Sequence, residues 1–190
     1  MVNIQEERAV GHARARAQSP GEPPTAEARP APALLAAVHQ VAIIASGVLA
    51  GAILATWLTE ASLGNSAQLW IEYHQAITSA YTRALPPLGG LALLAALATL
   101  AVTWRIRPTR WLVLAAVGCL VAGFLVTVVV HFPINAEILT WQPSAPPADW
   151  QEFRDRWLTA HVGRSMAALA GFALLVVATT GRQRTAASPG

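Results

Sequence analysis

Trp157, His161 and Arg164 stand at i, i+4 and i+7, so a helix through them carries an aromatic wall, a potential base and a fixed cation on one face. A histidine can take a proton from an acidic C–H or O–H, and an arginine beside it can stabilise the anion that results. Upstream, His131, Pro133 and Asn135 fall within five residues. Pro133 removes a backbone N–H and disturbs the carbonyl four residues earlier, so the polar side chains beside it either repair a broken helix end or bind a ligand there. His74 lies among Leu69, Trp70, Tyr73, Ile77, Ala80 and Tyr81, which recur at helical spacing.

His74, His131 and His161 are all expected near one end of the fold. Three neutral imidazoles there could ligate a metal and leave positions open for substrate or oxygen; the competing reading is three unrelated histidines. No two of them form a local ligand pair, and His39 belongs to the opposite end. Cys119 is the single cysteine, which excludes an internal disulfide and a cysteine-type metal site.

The elements that must position these residues are membrane helices. The 190 residues are 54% apolar and only 12% charged, the composition of a membrane domain. All 13 basic residues are arginine against 10 acidic ones, a net charge of +3, so nucleic acid is not an expected partner. Residues 1–33, rich in Ala, Pro, Arg and Glu, read as a disordered tail. Four apolar runs follow, at about 34–58, 86–104, 111–131 and 157–180, each long enough to approach the ~20 residues a spanning helix needs. Pro86-Pro87 reads as the start of span two. Before it, from about Ser66 to Ala84, lies an amphipathic helix expected on the outer surface. Asp149 reads as the N-cap of a helix that begins near Trp150 and continues into span four. The predicted fold is therefore all-α: a four-transmembrane-helix bundle with an amphipathic outer helix between spans one and two, then a short tail at 181–190.

Arg105, Arg107 and Arg110 fill the short connection between spans two and three, and Arg182 and Arg184 follow span four. The positive-inside rule puts both segments, and with them both termini, in the cytoplasm. Glu60, Glu72, Glu137, Asp149, Glu152 and Asp155 then fall in the two outer loops. An arginine as deep as Arg164 is costly unless it is paired, and Asn135, Glu72 and Glu137 are the expected partners. Gly47 and Gly51 form a GxxxG pattern that serves either packing within the bundle or a homo-oligomer contact.

From about Leu34 to Val177 the order of features resembles the anthrone oxygenase-like family of small four-helix membrane proteins. The likeness rests on Gly47, Gly51 and Trp57, the Tyr81 to Pro87 approach to span two, and Pro133-Ile-Asn135 followed by Trp141, Arg154, Trp157 and Arg164. It implies a polar outer pocket containing Asn135, Trp157 and Arg164, and in some relatives the oxidation of an anthrone by dioxygen. Such chemistry would need no resident cofactor, with His161 or His131 as the base, Arg164 as the enolate stabiliser and dioxygen as cosubstrate. Its partners would be the lipid bilayer and a small hydrophobic aromatic substrate, reached from the bilayer or the outer face. The alternative is a non-enzymatic membrane protein whose polar cluster holds the bundle together or receives a partner. Cysteines introduced near Thr109 should be shielded from impermeant reagents in intact cells while those near Ser144 react, and labelling in the reverse pattern would overturn the orientation.

Overall fold

The computed structural model describes residues 32–187, so nearly all of the amino-terminal tail and the last three residues fall outside it. The described residues are helical without a strand. Helix α1 spans Pro32–Ser62, α2 Ala67–Thr103 and α3 Arg107–Val126; a π-helical turn, Thr127–His131, leads into α4 at Phe132–Ile138, and α5 runs Trp150–Ala187. Four helical stretches, Ala33–Ser62, Ala67–Thr103, Arg107–Ile138 and Trp150–Thr179, are long and apolar enough to cross a membrane. At ~1.5 Å per residue, the 31-residue α1 extends roughly 45 Å, more than the hydrocarbon layer requires.

The chain passes from α1 to α2 at Gly64, whose φ of 70° lies in the left-handed region that glycine adopts without strain. Ser66 caps α2 by accepting a hydrogen bond from the Leu69 N–H at 3.4 Å. The sequence predicts a fresh helix at Pro86-Pro87. The structure instead carries α2 straight through both prolines, so the amphipathic segment and span two are one 37-residue element. Each proline deletes one internal hydrogen bond, and membrane helices tolerate the loss because neighbouring groups re-satisfy the freed carbonyls. Helix α5 begins at Trp150 as expected, but it also continues beyond Thr180 to Ala187, where a tail is predicted.

Each of the four long helices packs on two neighbours in the cyclic order α1, α2, α3, α5, and α2 with α3 is the loosest of the four pairs. The core is graded along the bundle. At the end carrying the α2–α3 connection it is built from Ala42, Ala95, Ala96, Val113, Ala116, Val117 and Ala178, with Leu120 and Leu175 between them. Such small side chains let backbones approach closely where no hydrophobic effect drives helices together. At the opposite end, which we term the capped end, Trp70, Ile71, Ile134, Ile138 and Trp157 form an aromatic and branched cluster backed by Trp141, Trp150 and Phe153. Gln75 fastens this cap, its amide donating to the carbonyls of Ile138 at 2.8 Å and Trp141 at 2.9 Å.

The glycine pattern of α1 does not act as one surface. A Cβ at Gly47 would meet the Phe172 ring at 2.9 Å, so Gly47 makes room for α5 within the chain, whereas Gly51 faces open space. The tightest backbone approach between α3 and α5 is at Gly171, where a Cβ would stand 3.4 Å from the Ala116 carbonyl oxygen and from Cys119 Cβ. Gly171→Leu should therefore overpack this interface and destabilise the fold by about 1–3 kcal/mol. Gly51→Leu, at a position where a Cβ would meet nothing within 4 Å, should destabilise far less than Gly171→Leu. Thermal unfolding in detergent checks the pair.

Candidate active site

The π-helical turn brings the functional side chains of α3 inward. Pro133 cannot donate an N–H, and the chain widens just before it: the Phe132 N–H bonds back to the Thr127 carbonyl, five residues away. The insertion directs His131 into the bundle, where it is 1% exposed and its Nδ1 lies 3.3 Å from the Val126 carbonyl. Thr127 donates to Gly123 O at 2.9 Å and presents its lone pair to Arg164 Nη1 at 3.4 Å.

Trp157 is the hub of the capped end. Its indole N–H donates to Asn135 Oδ1 at 2.8 Å. An indole can only donate, so the Asn135 oxygen must face it, and the amide N–H pair of Asn135 is left for other partners. The rings of His74, His131 and His161 all pack on Trp157, with centroids 5.1, 5.3 and 4.3 Å from it. His131 and His161 also meet edge to face at 5.2 Å.

Hydrogen-bond complementarity sets each tautomer. His161 Nε2 is 2.9 Å from the Ile53 carbonyl, which can only accept, so Nε2 carries the proton. Arg164 Nη2 lies 3.1 Å from both ring nitrogens, and the one able to accept is then Nδ1. His74 Nδ1 lies 3.1 and 3.0 Å from the two carboxylate oxygens of Glu60 and must donate to them. His74 Nε2 and His131 Nε2 are buried without a partner.

Next to this cluster lies a cavity of about 440 Å³, within the range of small-molecule sites. Its wall is largely apolar, with Asn135, Trp157, Arg164 and Thr127 as a polar patch. It opens sideways between α2 and α3: Thr82, Pro86, Gly90 and Leu94, a stripe at every fourth residue of α2, line it and are also exposed, as are Phe124 and Phe132 across the gap. The opening thus lies along the flank of the bundle, where the loosest helix pair meets the apolar surface. A family model described as anthrone oxygenase matches residues 73–174, just over half of the 190 residues. The chain belongs to the anthrone oxygenase family. No curated protein and no solved structure matches it.

For this family member, the residues singled out in the sequence divide into two layers. Asn135, Trp157 and Arg164 line the cavity; His131 and His161 do not, and stand behind Trp157. Arg164 is hydrogen-bonded to His161 and Thr127, and not to the expected Asn135, Glu72 or Glu137. His74, His131 and His161 do gather around one indole, but the arrangement does not fit a three-histidine metal site. His161 has its lone pair engaged by a permanent cation that would also repel a metal ion. Among the described residues no group of three or more His, Cys, Asp or Glu side chains is placed to hold a metal. His39 lies apart, 2.9 Å from the Leu175 carbonyl.

Glu60 is the buried residue of this cluster that the sequence reading leaves in an outer loop. It is 0% exposed, as is His74, whose Nδ1–H it accepts in a buried hydrogen bond at 3.0 Å. The signal lies in the stripe Ile53, Thr56, Glu60, which continues the inward face of α1 at i, i+3 and i+7. Glu60 also lies outside the family match. Because the indole of Trp157 is buried, Asn135→Leu should strand its N–H and cost about 1–3 kcal/mol, read as a lowered unfolding midpoint, whereas Asn135→Asp should keep the acceptor and recover most of the loss.

Proposed function

We propose that this protein is a membrane-embedded, oxygenase-like enzyme that oxidises a hydrophobic aromatic substrate of the anthrone kind in the cavity beside Trp157. The observation that carries the reading is the union of a cation and neutral donors at one patch of an otherwise apolar cavity: Arg164, held by Thr127 and His161, together with the Asn135 amide. An oxygen acquiring negative charge there would meet preorganised donors in a site with little water, where each is worth more than in bulk solvent. Trp157 supplies a flat wall for a fused-ring substrate.

The chemistry asks little else of the protein. A base removes one proton from the activated methylene carbon, and the carbonyl oxygen of the resulting enolate is stabilised by Arg164 and Asn135. The enolate carbon transfers electrons to dioxygen and forms a C–O bond, giving a hydroperoxide once a proton returns. Loss of the second C–H proton with cleavage of the O–O bond leaves a ketone and releases water. The groups nearest the substrate are thus anion stabilisers, and the proton acceptor lies in the histidine layer behind them.

The flank opening between α2 and α3 favours entry from the bilayer over entry from the outer face, since Leu94, Phe124 and Phe132 at its rim are 67, 59 and 50% exposed and suit acyl chains. With the arginine-rich connection in the cytoplasm, the capped end and its cavity occupy the outer half of the cell membrane and both termini are cytoplasmic. The competing reading treats the polar cluster as a clamp between α1, α3 and α5, which the bonds of His161 to Ile53 and of Arg164 to Thr127 would serve. Arg164→Ala decides between them. It should abolish oxygen-dependent turnover of an anthrone while membrane insertion persists, and Arg164→Lys should restore little, because lysine keeps the charge without the planar fork. Activity lost only in proportion to folded protein would favour the clamp, and full activity in folded Arg164→Ala would remove the residue from the mechanism.

A further inference from the structure

Glu60, fully buried beside His74, and Arg164, half-buried in the cavity wall, bring side chains of opposite charge into the cluster around Trp157. Glu60 touches His74 alone among the charged and titratable groups, through both carboxylate oxygens, and its charge acts across the cluster on Arg164. In a medium of low dielectric a Glu60 carboxylate would balance the Arg164 guanidinium, and the cluster would be neutral while the cavity is empty or holds a neutral molecule. An anion formed against Arg164 would break that balance and leave Glu60 as an uncompensated negative charge. One proton added to the Glu60–His74 pair would restore neutrality.

His74 is built to take that proton. With Nδ1–H committed to Glu60, its Nε2 lone pair is free, buried and without a partner. The arrangement is that of a carboxylate-backed imidazole, in which the carboxylate fixes the tautomer and the orientation of the ring. The groups facing His74 are Glu60 from α1, Trp70 from its own helix, Trp157 from α5 with His161 behind it, and His131 from the π-helical turn. Of the other histidines, His161 has both nitrogens engaged, and His131 has only a backbone carbonyl behind it. Thr78 is the hydroxyl placed between His74 and the cavity along α2. It lies one turn beyond His74 on the same face of α2, it lines the cavity, and a helical side chain leans towards the preceding turn.

We propose that the Glu60–His74 pair accepts the proton released when a neutral weak acid, an aromatic enol or phenol, ionises against Arg164, with the Thr78 hydroxyl passing it on. The ligand O–H or C–H bond breaks, its electron pair stays on the ligand as an anion held by Arg164 and Asn135, and a new N–H bond forms at His74 Nε2. His74 acts at one remove from the ligand. The inference rests on the cavity reading above, and an equilibrium binding measurement separates the two.

The probe is 1,8-dihydroxy-9,10-anthraquinone, whose visible absorption shifts when a hydroxyl ionises, added to the full chain in lipid nanodiscs. The wild type should bind it in the ionised form without releasing a proton, so the binding heat is the same in buffers of different ionisation enthalpy. Glu60→Gln keeps an oxygen for His74 Nδ1–H and should fold; it should bind the probe at least tenfold less ionised, or ionise it only with release of about one proton to the buffer. Glu60→Asp should restore proton retention in part. Should Glu60→Gln fail to fold, the near-isosteric Thr78→Val decides, with slowed appearance of the ionised spectrum expected. Wild-type release of a full proton, or ionised binding by folded Glu60→Gln that matches the wild type without proton release, overturns the proton acceptor and leaves the cavity reading standing. A rate for Thr78→Val equal to the wild type removes the proposed route and counts against the inference. Absence of any wild-type binding takes both readings down.

Discussion

Everything at the capped end follows from placing a guanidinium inside a membrane bundle. Arg164 cannot lose its charge as a lysine can, and removing it from water is affordable only with acceptors close by and a countercharge within reach. The bundle meets these demands from three directions. Thr127 on the π-helical turn accepts from Nη1, His161 on the next turn of α5 accepts from Nη2, and Glu60 at the end of α1 supplies the opposite charge. Satisfying one residue therefore fixes a tautomer, a helix irregularity and a buried acid on three different elements. His161 is held in turn by the Ile53 carbonyl, so the cation ties α1, α3 and α5 together.

The cavity arises from the opposite condition, a local shortage of side chain. Gly89, Gly90 and Gly123 occur where α2 and α3 would otherwise fill the space, and Pro86 and Pro87 weaken the hydrogen bonding of α2 alongside it. On α3 the backbone widens into the π-helical turn a few residues beyond Gly123. Helix irregularity on both sides of one gap produces an apolar chamber that opens along the flank of the bundle. The alanine-rich packing at the other end compensates, since Ala95, Ala96 and Ala116 allow contacts close enough to hold the helices together.

How much of this could be read from the residues depends on the range of the interactions. The four spans and the all-helical fold follow from runs of apolar residues, a local property, and the Trp157, His161, Arg164 face follows from helical periodicity. Asn135 and Arg164 stand out because a polar group in an apolar run is itself a signal. What stayed hidden is long-range. Glu60 sits where an apolar run ends, so hydropathy assigns it to a loop; only the partner 14 residues later, on another helix, turns it inward. The continuity of α2 was obscured for a different reason: a proline pair lowers helix propensity in water, while a bilayer penalises any alternative that exposes backbone polar groups. Which histidine keeps a free lone pair depends on carbonyls and charges from other elements, and no spacing rule encodes that.

The cluster combines bonds that fix position with buried polar atoms that have no protein partner. Here the bonds that fix position are complete: Trp157 to Asn135, His161 to Ile53, and Glu60 to His74. Among the described residues, the buried polar atoms without a protein partner include the lone-pair nitrogens of His74 and His131, donors on Trp70, Arg154 and Arg164, and the Ser165 hydroxyl. Rigid positioning with open proton-accepting and anion-stabilising capacity is the pattern expected where a molecule must gain charge and lose a proton in the absence of bulk water. On the proposed reading, Arg164 in the cavity wall would hold the anion and Glu60–His74 the proton, so the two tasks would fall to different groups.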